Sequence, residues 1–215
     1  MRKCVRTISM IALTVMALAP AAVAAEEQNN RIHGGVSFVT AQGDPKLDVE
    51  TFPGVTEHAR AEIDDDWGFY ADYERMIYKK FGLKFGVNWS EQDIDISGGD
   101  RTGHFGSIQA TPITANIMFH PAPLSHVDFY VGGGFAYVMY DKISIKNDFG
   151  PGGRTELDVD DDQTWNAQLG VDFRFGDSPF GLNLDAKYIK TSGDSELGAI
   201  DVNPLIAGAA LAIRW

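Results

Sequence analysis

The sequence predicts an all-β fold: an eight-stranded antiparallel transmembrane up-and-down β-barrel with short periplasmic turns and long extracellular loops. The first observation that predicts it is a spacing found in four segments. In each segment two aromatic residues stand eight positions apart, with apolar or small residues at the alternate positions between them; the segments are Phe81–Trp89, Phe129–Tyr137, Trp165–Phe173 and Phe180–Tyr188. Because side chains alternate between the two faces of a strand, each segment presents one apolar face with an aromatic residue at both ends.

The second observation is that this spacing matches the thickness of a membrane. Eight residues at about 3.4 Å span roughly 27 Å, and a tilt of about 40° reduces this to a little over 20 Å, close to the lipid-facing band of an outer-membrane barrel. Aromatic rings are favoured at both membrane–water interfaces because they are amphipathic. A soluble β-sandwich also alternates, but it has no reason to place aromatic residues at both strand ends.

Alternation predicts eight strands, at about 31–39, 67–74, 81–90, 108–120, 127–140, 164–175, 180–191 and 200–215. Each strand is justified by one apolar face. In chain order these faces are Ile32, Val36 and Phe38; Trp67, Phe69, Ala71 and Tyr73; Phe81, Leu83, Phe85, Val87 and Trp89; Ile113, Ala115, Ile117 and Phe119; Phe129, Val131, Gly133, Phe135 and Tyr137; Trp165, Ala167, Leu169, Val171 and Phe173; Phe180, Leu182, Leu184, Ala186 and Tyr188; Leu205, Ala207, Ala209, Leu211, Ile213 and Trp215.

The connections between these strands alternate in length. Those at about 76–80, 121–126 and 176–179 are short, whereas those at about 40–66, 91–107, 144–163 and 192–199 are longer and polar. Short turns at one end and long loops at the other are typical of the periplasmic and extracellular ends of an outer-membrane barrel.

The first 25 residues predict a cleaved secretory signal peptide, which leaves residues 26–215 as the barrel. A basic start is followed by an apolar run at 8–18 and by small residues at 22–25. Cys4, the only cysteine, lies in this segment, so we expect no disulfide in the mature chain. Loss of its three basic residues changes the formal net charge from −12 to −15. Such an acidic exported chain is not expected to bind nucleic acid.

Four segments in the second half resemble the outer-membrane protein W (OmpW) family of Gram-negative bacteria. Thr111–Thr114 is similar to the family's Pro-Thr-Leu stretch, and Phe129–Gly134 to its Arg-Pro-Tyr-Val-Gly-Ala-Gly segment. Trp165–Phe173 resembles its Trp-Gly…Gly-Val-Asp-Tyr run, and Ile200–Pro204 its Leu-Asp-Pro approach to the last strand. The first half resembles the family in strand layout alone.

The resemblance implies a location in the outer membrane and a lumen suited to small hydrophobic molecules. It also implies a signal for the barrel-assembly machinery in the C-terminal strand, at Leu211, Ile213 and Trp215. Family members commonly finish on Tyr-Arg-Phe, whereas this chain finishes on Ile-Arg-Trp.

The residues that alternate with the apolar faces of the strands point to the other side of the sheet and are predicted to line the lumen. They are Asp72, Glu74, Lys84, Asn116, Met118, Tyr130, Val138, Asp172, Arg174, Asp185, Lys187, Ile206 and Ala210. The interior of an eight-stranded barrel is only just wide enough for side chains to fill, and buried charges must be paired or hydrated. We therefore favour an internal ion-pair network over a polar channel, with a centred turn placing Asp72 opposite Lys84.

Other candidate sites are weaker. The acidic runs Asp64–Asp66 and Asp160–Asp162 are interpreted as a solvated surface, with divalent-cation binding beside lipopolysaccharide as the alternative. His120 and His126 flank a short turn without a third ligand, so no metal site and no cofactor are predicted.

The function predicted from these observations is a narrow pore or a lateral route for small, mostly hydrophobic solutes, without catalysis. The alternatives are a barrel that acts through its acidic extracellular loops in adhesion or envelope stability, and an enzyme that modifies lipid A. No serine stands beside a histidine in a way that would support the enzyme. The expected partners are outer-membrane lipid and lipopolysaccharide, the barrel-assembly machinery and a small-molecule solute, and we expect a monomer.

Overall fold

The computed structural model describes residues 29–42, 46–52, 55–98, 101–123, 125–141, 143–145, 156–157, 159–191, 193–195, 198–200 and 203–215. The predicted signal peptide lies outside these residues. Within them the chain forms fourteen strands: β1 (Asn30–Thr40), β2 (Lys46–Phe52), β3 (Val55–Ile63), β4 (Asp66–Tyr78), β5 (Phe81–Gly98), β6 (Arg101–Phe119), β7 (Val127–Tyr140), β8 (Ile143–Ile145), β9 (Glu156–Leu157), β10 (Asp162–Arg174), β11 (Phe180–Ile189), β12 (Gly193–Ser195), β13 (Gly198–Ile200) and β14 (Leu205–Arg214). The same residues contain no helix long and apolar enough to cross a membrane.

Eight of these strands close into an antiparallel barrel, which confirms the predicted fold class. Going round the barrel, the order is β1, β4, β5, β6, β7, β10, β11 and β14, and β14 returns to β1. The closing seam pairs ten residues of each strand, from Arg31 opposite Arg214 to Thr40 opposite Leu205. A closed sheet has no edge, so the backbone can satisfy its hydrogen bonds inside lipid.

The barrel has one end with short turns and one with long connections. The short-turn end carries the turns at 79–80, at 120–123 with 125–126, and at 175–179. It also carries Asn30 and Trp215, whose backbones exchange hydrogen bonds. The long-loop end carries the remaining strands. There β2 and β3 form a hairpin, and β3 pairs with β5 through Arg60 to Ile63.

The predicted loops at 40–66 and 91–107 were wrong, because strands fill much of both stretches. β5 and β6 stay paired as far as Gly98 opposite Arg101, and β12 and β13 form a separate two-stranded ribbon before β14. The last barrel strand, predicted at 200–215, is β14 and begins at Leu205, because Ile200 belongs to β13. These additional strand segments lack an aromatic-bounded apolar face of membrane length, so the pattern that identifies the membrane-crossing strands does not identify them.

Large apolar side chains are exposed on the outer face of the barrel, including Phe85, Leu169 and Leu211. Aromatic residues from neighbouring strands contact one another near both rims. Toward the long-loop end the contacting rings are Phe38–Trp67 (5.3 Å between centroids), Phe69–Trp89 (6.3 Å) and Trp165–Tyr188 (5.9 Å). Toward the short-turn end they are Tyr73–Trp215 (6.5 Å) and Phe81–Phe119 (5.3 Å).

Placing a charge in the apolar band should destabilise the barrel. Leu169 is 59% exposed on β10 between Trp165 and Phe173. We expect Leu169→Arg to lower the free energy of unfolding by about 2–4 kcal/mol, since lipid offers the guanidinium no partner. Urea unfolding of the protein in lipid vesicles, followed by tryptophan fluorescence, measures the change.

Gln163→Arg is the matched control for this prediction. Gln163 lies on the same strand with the same parity, beyond Trp165 toward the long-loop end. The same charge at 163 should lower the free energy of unfolding by less than about 1 kcal/mol, because this position lies near the membrane–water interface. Equal losses for the two variants would contradict the assignment of the apolar band to lipid.

Candidate functional site

The residues predicted to line the lumen all lie away from the exposed apolar face. Most are buried, including Met118, which has no exposed surface, and Arg174 and Asp185 are half-buried. The other members of the set are Asp72, Glu74, Lys84, Asn116, Tyr130, Val138, Asp172, Lys187, Ile206 and Ala210.

Lys84 lies at the centre of a buried group of charges. Its Nζ atom lies 3.3 Å from Asp72 Oδ2 and 3.7 Å from Asp185 Oδ2. Nζ also donates a 3.2 Å hydrogen bond to the Tyr130 hydroxyl and lies 4.4 Å from the centroid of that ring. Tyr130 in turn donates to Asp185 Oδ2 over 2.6 Å and accepts a hydrogen bond from Asn183. One cation therefore joins carboxylates from β4 and β11, which are not neighbouring strands.

The expected register of this group was wrong, although the ion pair forms. Lys84 stands directly opposite Glu74, not Asp72. The turn is not centred as assumed, because β4 and β5 stay paired as far as Tyr78 opposite Phe81, around a turn of two residues. An irregularity between Met76 and Tyr78 then sets Lys84 opposite Glu74. Asp72 lies two residues further along β4, and the long lysine side chain reaches it diagonally.

Two glycines make room for these carboxylates. A Cβ atom at Gly82 would overlap Glu74 Oε1, and one at Gly86 would overlap Asp72 Oδ1. Both glycines belong to the polar face of β5, where any larger residue would displace an acidic side chain from its partner. The small residues of this face are therefore part of the charged site.

A second group of charges closes the short-turn end. Arg31 Nη1 lies 2.7 Å from Asp128 and 3.3 Å from Asp172, and Arg214 Nη2 lies 2.9 Å from Asp172. Both guanidinium groups also donate to the carbonyl oxygen of Pro123, over 3.2 Å and 3.4 Å. The turn between β6 and β7 is therefore held by charges from the two strands of the closing seam.

Histidines extend this second group. The ring of His120 lies between two carboxylates, with Nε2 at 2.6 Å from Glu74 Oε1 and Nδ1 at 3.1 Å from Asp128. His33 Nε2 lies 3.3 Å from Asp172. The second group thus reaches Glu74, which faces Lys84 across the ladder of β4 and β5.

The sequence interpretation did not assign several members of this group to the lumen, namely Arg31, His33, His120, Asp128 and Arg214. A signal was present for each of them. Arg214 alternates with Ile213 and Trp215, and Asp128 shares the parity of Tyr130. Alternation along each strand was enough to place these residues on the inward face. Their partners on distant strands could not be predicted from local spacing.

Neutral amides occupy the next part of the lumen. Asn166 donates to Asn116, which donates to Gln168, each over 2.8 Å. On the opposite wall Asn88 donates to the Ser37 hydroxyl over 2.9 Å. All these side chains are buried, so they form a hydrogen-bonded layer, and Gln168 also donates to Asp185 Oδ2 of the Lys84 group over 2.7 Å.

Apolar side chains adjoin this layer, with Ile189 directly opposite Asn166. They form one cluster, here called the apolar cluster, consisting of Val39, Ala136, Val138, Ile189 and Ile206, against which Ala110 and Tyr140 pack. The lumen is therefore divided, with apolar residues toward the long-loop end and charged residues toward the short-turn end.

The hydrogen-bonded ladder of the barrel wall is interrupted beside the apolar cluster. In the described ladder between β5 and β6, the pair at Val87 is followed by the pair at Ser90. Residues 88 and 89 are therefore not paired with β6. Pro112 lies on β6 at this interruption, and proline has no N–H group to donate. On its other side Pro112 stands opposite Val138, a member of the apolar cluster.

Comparison with known proteins identifies the family. The model of the OmpW family matches residues 26–215. The chain belongs to the OmpW family. It is an outer-membrane β-barrel, in which the short-turn end faces the periplasm and the long-loop end faces the exterior.

Solved structures support the same fold for this OmpW-family barrel. It is similar to the outer membrane protein OprG from Pseudomonas aeruginosa, with a TM-score of 0.76 and 17% identity over 87% of this chain and 96% of OprG. The outer membrane protein AlkL gives a TM-score of 0.63 and 19% identity over 91% of this chain and 94% of AlkL. Neisserial surface protein A gives a TM-score of 0.52 and 10% identity over 86% of this chain and 97% of that protein. No curated protein matches the sequence.

The remaining predicted features of this OmpW-family barrel have the following positions. Asp161 accepts a hydrogen bond from the Tyr137 hydroxyl on the extracellular side. Leu211 on β14 is 68% exposed, whereas Ile213 on β14 and Trp215 just after it are half-buried. Their recognition by the assembly machinery stays a prediction. Within the part of the chain that the structure describes, no group of three or more metal-ligating side chains is found.

Removing the central cation should destabilise this OmpW-family barrel. We expect Lys84→Met to lower the free energy of unfolding by about 3–5 kcal/mol, because it leaves buried carboxylates without their counter-ion. The double variant Lys84→Met/Asp72→Asn should recover part of the loss. Urea unfolding in lipid vesicles measures both effects.

Lys79→Met controls for the loss of a lysine as such. Lys79 is exposed in the turn between β4 and β5, so its replacement should change stability by less than about 1 kcal/mol. A Lys84→Met barrel as stable as the Lys79→Met barrel would show that the lumen charges are not coupled.

Proposed function

We propose that this OmpW-family barrel is a passive route for small, mostly apolar solutes across the outer membrane. Solutes enter from the extracellular end, occupy the position of the apolar cluster, and leave sideways through the wall between β5 and β6 into the membrane. Selection depends on the width and lining of the route, and no bond in the solute is made or broken.

The observation that carries this proposal is the position of the wall interruption. Pro112 stands opposite Val138 of the apolar cluster, and the unpaired Asn88 belongs to the neutral amide layer, so the interruption lies at the boundary of the apolar part of the lumen. An interruption at the charged level would expose ion pairs to acyl chains, which is costly. At the apolar level an opening joins two apolar environments.

A straight path to the periplasm is less favourable for such a solute. Below the apolar cluster it would meet the amide layer, then the Lys84 group, then the Arg31 and Arg214 group held to Pro123. Separating the ion pairs among them would leave a buried charge without a partner, at a cost of several kcal/mol. A sideways exit leaves the ion pairs intact.

The apolar solute also gains from avoiding water along this route. Transfer of apolar surface out of water is favourable by roughly 25 cal/mol per Å². A solute that passes from the apolar cluster into hydrocarbon keeps that gain, whereas release into the periplasm loses it.

A reversible cross-link across the interruption tests the lateral route. Residues 88 and 112, to be replaced as Asn88→Cys and Pro112→Cys, face each other when the register is continued from Val87–Ile113 to Ser90–Ala110. We expect the oxidised double variant to take up octane, in cells without general porins, no faster than cells that lack the gene. Reduction of the disulfide should restore uptake, because the wall can part again.

A second disulfide controls for cross-linking itself. Phe85→Cys and Ala115→Cys join the same two strands at a pair whose ladder is intact. This variant should transport octane equally well in both redox states. If the cross-link at 88 and 112 left uptake unchanged while discrete conductances were recorded in planar bilayers, the straight pore would replace the lateral route.

A further inference from the structure

We propose that the lumen selects amphipathic carboxylates, meaning small solutes with one carboxylate and an apolar body, and that Lys187 Nζ binds the carboxylate. This inference rests on the proposed function, because the solute body would occupy the apolar cluster through which apolar solutes pass. It adds a chemical class of solute and a single binding group.

Lys187 lies directly against the apolar cluster. On β11 it stands two residues from Ile189, and across the ladder it is opposite Ile206 of β14. Both isoleucines belong to the apolar cluster. A solute body beside them would therefore bring a terminal head group to the level of the Lys187 side chain.

Lys187 is a buried cation with weak partners, in contrast to Lys84. Its side chain is 5% exposed, yet its described contacts are a 3.4 Å hydrogen bond to Thr114 Oγ1 and a 3.8 Å approach to Asp72 Oδ1. Lys84 has Asp72 at 3.3 Å and also contacts Tyr130. Asp72 is thus shared by two lysines and lies closer to Lys84.

A carboxylate is the head group that this arrangement fits. An ammonium group has three hydrogen-bond donors, and a buried charge is costly unless it is paired. A solute carboxylate would give Lys187 a counter-ion of its own, and the Thr114 hydroxyl could donate to the same group. A phosphate or sulfate would call for more donors than one lysine and one hydroxyl supply.

The position of Thr114 links this head-group site to the lateral exit. Thr114 stands two residues from Pro112 on β6 with the same parity, and it is buried. A solute held by Lys187 and Thr114 would therefore lie with its apolar body next to the wall interruption. Neutral apolar solutes would use the same space without the ionic contact.

The test compares uptake of octanoate and 1-octanol by porin-deficient cells that produce the full chain, at a pH where octanoate is ionised. The readout is the ratio of the two rates in the same cells, which cancels differences in the amount of folded barrel. We expect Lys187→Met to lower this ratio about tenfold, the value of one charge-assisted hydrogen bond. Lys187→Arg should keep most of it.

Lys190→Met is the matched control, since Lys190 is exposed just beyond the end of β11. It should leave the ratio unchanged. An unchanged ratio in Lys187→Met would overturn the carboxylate site while the lateral route stands. Wild-type octanol uptake no faster than in cells lacking the gene would overturn the proposed function instead.

A measurement on the unmodified chain keeps the proposal testable if Lys187→Met does not fold. Excess octanoate should slow octanol uptake through the wild-type barrel by competing for the same space, and excess acetate, which lacks the apolar body, should not. Absence of competition by octanoate, or equal competition by acetate, would overturn the carboxylate site.

Discussion

The structure depends on one constraint, that backbone groups inside hydrocarbon must find their hydrogen-bond partners within the chain. The seam between β1 and β14 meets it by pairing ten residues on each strand, which leaves the sheet without an edge. Once the sheet is closed, each strand has one face in lipid and one in the lumen. The ladder of β5 and β6 is incomplete beside Pro112, at the boundary between the amide layer and the apolar cluster.

Closure also explains why so many charges are buried. A barrel of eight strands encloses little more than its own side chains, so inward charges must pair with one another across the lumen. Lys84 pairs with carboxylates from two strands that do not touch, and the glycines at 82 and 86 leave space for the acidic side chains. These pairs connect opposite walls of the barrel in a way that the ladder cannot.

The division of the lumen links this architecture to the proposed transport of apolar solutes. Charges and the Pro123 carbonyl occupy the periplasmic end, while the apolar cluster occupies the extracellular part. An apolar solute therefore meets its most favourable surroundings near the outside and its least favourable ones below. Lys187 lies at the boundary between the two, where a solute with both an apolar body and an anionic head would find a partner for each.

Alternation and aromatic spacing in the sequence determined the fold class, the eight strands and the outward faces, because strand geometry and membrane thickness translate directly into residue spacing. Parity also indicated many of the inward residues. Only the tertiary structure decided which of them meet: Lys84 faces Glu74 because of an irregularity in the turn region, and Arg31 meets Asp128 and Asp172 from strands far away in the chain. The wall interruption and the weakly paired Lys187 also emerge only there, because register and distance across a lumen follow from how all eight strands close together.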